Sequence, residues 1–424
     1  MLLLLCCGAV LLIGIVALVV WLAMAPGAQE PAPATVSTKP TQAPTTAPTK
    51  PSTAPTQPTQ PEPPVEPEPQ LTEAELKAQE IMETMTDEEK VWQLFFVTPE
   101  QLTDTPSVIY ARDTTKQKLA ERPVGGLIYF EHNLQNRSQA QNLIEGTQEY
   151  AKLDLFIAVD EEGGTVNRIA CNQEFGVSDV GDMADVTSAE EAGEKGKTLG
   201  EYLKALGFNL DFAPVADVWT NSENWVVKHR AFGTDAQDVA EKVKACVEGF
   251  RETGVMCTLK HFPGHGHTGE DSHQGAAVSN KTLEELQECE LLPFRSGIEA
   301  GAQFVMVGHM SLPQIDADYP ASLSYKIMTE LLREEMGFKG IIITDAMNMG
   351  AITAYYDSAE AAVLTLKAGA DMILMPQDMM AAYNGVLAEM QNDEQMRQLI
   401  EEKVMRILSV KIENGIITEE TVAE

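Results

Sequence analysis

From Leu71 onward the chain repeats one pattern: a short apolar run rich in Val, Ile, Leu and Phe, a loop that gathers polar residues, then a longer stretch of helical periodicity. Eight such runs predict strands: QLFFV (93–97), GLIYF (126–130), LFIAV (155–159), NLDFA (209–213), MCTLK (256–260), FVMVG (304–308), GIIIT (340–344) and MILMP (372–376). Apolar runs separated by helical crossovers imply parallel strands. Eight is the number that closes a (β/α)8 TIM barrel, so residues 71–424 are expected to form one α/β catalytic domain. An open doubly wound sheet fits less well, because no Gly-rich phosphate fingerprint follows an early strand. Folding is expected to start near LTEAEL, where Thr72 and Glu75 have the spacing of a capping box.

The pattern changes before Leu71. No charged residue occurs from Leu2 to Ala25, a run long enough to cross the ~30 Å bilayer core as a helix. Segment 1–25 is expected to be an uncleaved membrane anchor rather than a cleaved signal peptide, whose apolar region is shorter. Between Pro26 and Pro69 stand 14 of the 23 prolines, interleaved with Thr, Ala and Gln. That composition builds no core and favours extended polyproline II, so 26–70 is expected to be a disordered stalk. At ~3.1 Å per residue such a stalk could hold a domain up to roughly 140 Å from the membrane. The implied arrangement is a membrane-anchored chain with an extracellular catalytic domain, acting as a monomer.

Charge narrows the partners. With 30 Lys+Arg against 64 Asp+Glu the net charge is -34, which repels phosphates and excludes a nucleic-acid role. The six cysteines are Cys6, Cys7, Cys171, Cys246, Cys257 and Cys289. They lack the short paired spacings of zinc ligands and are expected to be small core residues rather than a disulfide framework.

The predicted strands deliver Asp160 and Glu161, Asp211, Lys260 and His261, His309, and Asp345 to their C-terminal ends, where the active sites of such barrels lie. Any one of them could simply cap a helix or satisfy a loop. Asp345, after the three consecutive isoleucines of GIIITDAMNMG, is either an N-cap for the next helix or a fixed carboxylate able to attack or stabilise a developing positive charge. VDEEGGTVNR ends a strand with Asp160, turns at Gly163-Gly164 and brings back Arg168, an acceptor and a forked donor suited to vicinal hydroxyls of a sugar.

Four of the seven histidines fall within KHFPGHGHTGEDSH, Lys260 to His273. Lys260 and His261 would offer donors at the strand end. Asp271 and His273 are two apart, which lets a carboxylate orient an imidazole and support it as a general acid/base. Two other readings stand beside this one. The His265/His267 pair could bind a metal, as in barrel metallohydrolases, or the segment could be a Gly/Pro loop that merely exposes histidines.

KHFPGHG followed by DSH, together with VDEEGGTVNR, FAPVADV, HRAFG and TDAMNMGAI, resembles the glycoside hydrolase family 3 β-N-acetylglucosaminidases, in order and across the chain after the stalk. The resemblance implies a retaining exo-β-N-acetylhexosaminidase acting on cell-wall or related amino-sugar glycans, with no metal or other cofactor. It implies Asp345 as nucleophile, His273 as acid/base and Asp271 as its partner. Asp160, Arg168, Arg230, Lys260 and His261 match positions that hold the N-acetylglucosamine unit. A histidine acid would suit an aglycone with an anionic lactyl group, such as N-acetylmuramic acid. This chain departs from the common DQEGGRV at Glu161 and Thr165, and has His267 where many relatives have Asp. Relatives that act as glucosidases add a second α/β domain, for which little sequence follows the last strand here. The alternatives are phosphorolysis on the same scaffold, a metal-dependent barrel hydrolase, or a non-catalytic wall-binding module.

Overall fold

Eight parallel strands are arranged as a nearly closed barrel in the computed structural model, which describes residues 71–269 and 277–418. They are β1 (Phe95–Val97), β2 (Gly126–Ile128), β3 (Phe156–Val159), β4 (Leu210–Asp211), β5 (Met256–Phe262), β6 (Phe304–Val307), β7 (Ile341–Thr344) and β8 (Ile373–Leu374). Their order round the sheet is β8-β1-β2-β3-β4-β5-β6-β7, with Phe95 beside Ile373 and Phe304 beside Ile341. A parallel bridge between Ile343 and Met372 brings the two edges together, consistent with a (β/α)8 barrel.

All eight predicted strands are present, with ends displaced by a few residues. Gln93 belongs instead to the helix Asp87–Gln93, which Leu94 caps. β5 runs on to Phe262, because the ladder resumes with Phe262 opposite Val307 after an irregularity. The Thr72–Glu75 capping box opens the first described helix, Glu73–Glu83, as expected. The expected anchor 1–25 and stalk 26–70, and the residues Asp271 and His273, lie outside the described residues. Among the described residues no helix is long and apolar enough to cross a membrane.

The barrel is filled rather than hollow. Phe96 of β1 meets Phe212, just after β4, at 5.3 Å, and Phe156 of β3 meets Phe304 of β6 at 5.1 Å. Neither pair of strands is adjacent, so these rings touch across the interior. At the N-terminal end Lys411 closes the floor, its Nζ 5.1 Å from the centre of the Phe156 ring and 3.0 Å from Gln93 Oε1. At the same end Asp371 accepts from Arg333 Nη2 at 2.7 Å, from Arg406, and from the Ile342 amide at 2.8 Å. Burial raises the carboxyl pKa of Asp371, but Arg406, Arg333 and Lys403 outweigh it and hold the group below the usual carboxylate range.

Candidate active site

At the opposite end of the barrel the strand termini enclose a cavity of about 340 Å³. Asp160, Glu162, Arg168, Arg230, Lys260, His261 and Asp345 line it, with Phe130, Met306, Met349 and Met375 among the apolar contributors. Six residues predicted from sequence therefore converge on one site, and Glu162 joins them.

The β3 end shows how the chain builds this. Gly163 and Gly164 adopt φ of +88° and +57°, a left-handed pair that reverses the chain cheaply only without side chains. A Cβ on Gly164 would stand 1.9 Å from Asp182 Oδ1. Past the turn, buried Glu161 gathers the returning strand: its carboxylate accepts from the amides of Arg168 (2.5 Å), Ile169 (2.9 Å) and Ala170 (3.0 Å) and from the Tyr202 hydroxyl (2.7 Å). Glu161 is thus committed to the loop, which delivers Arg168 to the cavity. The Arg168 guanidinium lies 5.8 Å from the centre of the Phe130 ring. Its buried Nε has no hydrogen-bond partner among the described residues.

Glu162 is the hub of an ionic lattice. Arg230 grips it with both arms, Nε to Oε2 at 2.7 Å and Nη2 to Oε1 at 2.8 Å. Lys260 Nζ lies 2.5 Å from Glu162 Oε1 and 2.6 Å from Asp160 Oδ1. Burial works against the charged form of Glu162, yet the two cations overcome it and hold its carboxyl far below the usual range. Burial likewise opposes the Lys260 ammonium, but Asp160 and Glu162 prevail and raise its pKa. Lys260 therefore presents a fixed positive charge beside the Asp160 acceptor, in a wall that already has its final geometry.

His261 is oriented from behind. Its Nδ1 stands 2.8 Å from Asp217 Oδ2 and its Nε2 3.3 Å from Arg230 Nη2. A guanidinium only donates, so Nε2 accepts and the protonated Nδ1 donates a hydrogen bond to Asp217 Oδ2. The other Asp217 oxygen accepts from the amides of His261 (3.3 Å) and His265 (2.6 Å), tying the loop to the strand.

Asp345 follows β7, its amide donating to the Val307 carbonyl at 2.9 Å and its Oδ1 accepting from the Ala346 amide at 2.7 Å. The next helix starts at Gly350 with Met349 as its N-cap, so Asp345 is not spent on capping it. His309, predicted at the mouth, is instead buried behind this turn. Its Nε2 donates to the Ala346 carbonyl at 3.0 Å, while Nδ1 stands 2.7 Å from Ser322 Oγ. Asp211 also turns inward: its Oδ1 accepts from the Glu161 amide at 3.0 Å, and burial pushes its carboxyl well above the usual range.

Neither of the histidines that suggested a metal lines the cavity. His265 is buried against Thr268, Nδ1 to Oγ1 at 2.9 Å, and burial depresses its pKa. His267 Nδ1 lies 3.1 Å from Thr220 Oγ1. Their loop passes so close to its neighbour that a Cβ on Gly266 would come within 2.0 Å of the Val218 carbonyl oxygen. Among the described residues no group of three or more His, Cys, Asp or Glu side chains could hold a metal ion.

Sequence reasoning missed Glu162 and Asp217 as members of the site. Both stand inside the motifs VDEEGG and FAPVADV, but only the approach of Arg230 from the loop after β4 and of Lys260 and His261 from the end of β5 distinguishes them from ordinary loop acids.

The model of the glycosyl hydrolase family 3 N-terminal domain matches residues 86–410. The chain is 36% identical to beta-hexosaminidase A of Pseudoalteromonas piscicida over 60% of its own length but only 46% of that protein's, so it spans about half of this relative. It is also 36% identical to the beta-hexosaminidase of Idiomarina loihiensis, over 62% of this chain and 79% of the relative. A solved glycoside hydrolase family 3 beta-N-acetylglucosaminidase from a Paenibacillus species superposes with a TM-score of 0.72 at 34% identity, over 80% of this chain and 67% of that one.

Proposed function

Because the chain belongs to glycosyl hydrolase family 3, we propose that it is a retaining exo-β-N-acetylhexosaminidase that hydrolyses terminal N-acetyl-β-glucosaminides. One observation carries the reading: the Asp345 carboxylate shares a cavity with the Asp160–Lys260 pair and with Arg168, Arg230 and His261. A sugar held by those donors and acceptors would present its anomeric carbon to a carboxylate already fixed at a strand end.

In the first step an Asp345 oxygen bonds to the anomeric carbon as the glycosidic C–O bond breaks, and His273 gives its proton to the departing oxygen. In the second step His273 takes a proton from water, the water oxygen bonds to the same carbon, and Asp345 leaves. Two displacements at one carbon return the β configuration. Asp271 orients His273 throughout. Asp160 accepts from a sugar hydroxyl, while Lys260, Arg168 and Arg230 donate, and none of these steps calls for a cofactor.

We also propose that segment 1–25 anchors the protein in the membrane and that the Pro/Thr-rich linker 26–70 holds it outside the cell as a monomer, where cell-wall or related amino-sugar glycans are within reach. The charge-free run Leu2–Ala25 and the proline density behind it support this. Retention of the full chain in the membrane fraction after a high-salt wash checks it; release into the soluble fraction would refute it.

The test of activity uses a chromogenic N-acetyl-β-glucosaminide and its glucoside counterpart, with and without phosphate. Hydrolysis of the amino sugar by wild type, lost in Asp345→Asn, supports the reading. Turnover of the glucoside alone, or a sugar phosphate as product, overturns it.

A further inference from the structure

The turn that carries Asp345 is held from three sides. The Asp345 amide donates to the Val307 carbonyl at the end of β6 (2.9 Å), and the Met347 amide donates to the Leu374 carbonyl of β8 (2.8 Å). Both of these are main-chain contacts. The third comes from a side chain, because His309 Nε2 stands 3.0 Å from the Ala346 carbonyl oxygen. A carbonyl only accepts, so Nε2 donates, and in the neutral ring Nδ1 accepts from the Ser322 hydroxyl at 2.7 Å. Ser322 is fixed in turn: it is buried, and its carbonyl accepts at 2.6 Å from Thr365 Oγ1, in the helix Ser358–Ala368. A relay of contacts therefore runs from Thr365 through Ser322 and His309 to Ala346. Ala346 completes it, its amide donating to Asp345 Oδ1 at 2.7 Å.

Packing alone does not hold this peptide. Ala346 lines the catalytic cavity, and His309 borders a second recess of about 260 Å³ that shares no lining residue with it. The imidazole and the turn are thus a thin partition between two spaces, and Ala346 adds only a methyl group to its stiffness. What an alanine cannot gain by contact, a directional bond from a planar ring supplies. His309 is fully buried, where a hydrogen bond meets little competition from water and an unpaired carbonyl is costly.

The chemistry needs that stiffness. The attacking oxygen has to sit about 3–3.5 Å from the anomeric carbon and in line with the departing bond, and a misplacement of ~1 Å costs about 10²-fold in rate. The Asp345 carboxylate takes its direction from the Ala346 amide, so whatever fixes Ala346 aims the nucleophile.

We propose that His309 is a positioning residue for the nucleophile: without lining the sugar cavity, it fixes Ala346 and so holds the Asp345 carboxylate at its attacking angle. The inference rests on the hydrolase reading above, in which Asp345 bonds to the anomeric carbon.

The test compares His309→Leu, which removes both ring nitrogens at similar bulk, with His309→Gln, whose amide presents an N–H to the Ala346 carbonyl. On the chromogenic N-acetyl-β-glucosaminide, His309→Leu is expected to lower kcat roughly 30-fold with KM within about twofold of wild type, and His309→Gln to bring kcat back to within about fivefold of wild type. The rate at which a fluorinated N-acetylglucosaminyl fluoride labels Asp345 should fall in step with kcat. A merely structural role would lower the melting temperature of both variants alike and leave kcat per folded enzyme unchanged. Equal kcat in the two variants, a loss confined to KM, or a kcat in His309→Leu within about threefold of wild type overturns the proposal and leaves the hydrolase reading intact. No labelling of Asp345 in wild type overturns both. Should His309→Leu fail to fold, Ser322→Ala decides, since it removes the partner of Nδ1 and leaves the ring in place: a kcat lowered about threefold or more at constant KM supports the proposal, and any smaller change overturns it.

Discussion

Lys260 at the mouth of the barrel and Lys411 at its floor are both buried, yet the fold treats them oppositely. Lys260 lies between the carboxylates of Asp160 and Glu162, which raise its pKa against the effect of burial. Lys411 donates to a neutral amide oxygen and faces the Phe156 ring, and although Asp154 favours its charged form, burial prevails and depresses its pKa to about 7. The contrast extends to the arginines. At the floor, Arg333 and Arg406 converge on Asp371, which also accepts a backbone amide. At the mouth, Arg230 holds Glu162 through Nε and Nη2, and Arg168 keeps a buried Nε with no partner among the described residues. One end of the barrel spends its charges on closing the structure, and the other fixes charges while keeping donors for a ligand.

The largest effect that would break this contrast is at Asp345. Asp345→Asn is expected to lower kcat on the chromogenic N-acetyl-β-glucosaminide by roughly 10⁴-fold or more, with the melting temperature nearly unchanged. A loss below tenfold would mean that the mouth's chemistry lies elsewhere. Next comes Glu162→Gln, which leaves Lys260 and Arg230 short of a buried counter-charge and should cost about 3 kcal/mol of stability together with most activity. The acid limb of stability checks the same residue. Glu162 has a folded pKa below its unfolded value, so its contribution is full above the ordinary carboxylate range near ~4.3 and is lost as pH falls. Denaturant titrations from pH 6 down to 2 should show a shallower decline in Glu162→Gln than in wild type, the difference opening below about pH 5.

Arg168→Ala is expected to raise KM roughly tenfold while kcat and stability change little; a large stability loss would show that Arg168 is structural. The smallest catalytic effect belongs to the floor. Lys411→Met should leave kcat/KM within about twofold while changing the pH dependence of stability. Because the folded pKa of about 7 lies below the unfolded lysine value, the unfolded chain binds more protons between them, and wild-type stability should rise with pH there. The rise from pH 7 to 9 should be about 2 kcal/mol and absent in the variant. An unchanged slope would refute the assignment to Lys411.

The strands were legible because each is a dense apolar run whose backbone is buried on both faces, a signal that survives uncertainty at the ends. Asp345, Asp160, Lys260 and His261 were legible for the same reason, standing directly beyond those runs. Glu161, Asp211 and His309 share that position in sequence but serve the loops behind the cavity. Successive residues of a strand point in opposite directions, so position at a strand end does not reveal which side a polar group faces. Glu162 and Asp217 were not legible, because each is defined by cations or an imidazole brought from elsewhere in the chain.

The most direct test of the central claim is to trap the glycosyl-enzyme. Wild type incubated with a slowly turned-over fluorinated N-acetylglucosaminyl fluoride, then digested and analysed by peptide mass mapping, is expected to carry one sugar on the peptide containing Asp345, with no adduct in Asp345→Asn. A sugar on any other carboxylate, or inversion of configuration in the product, would contradict the account.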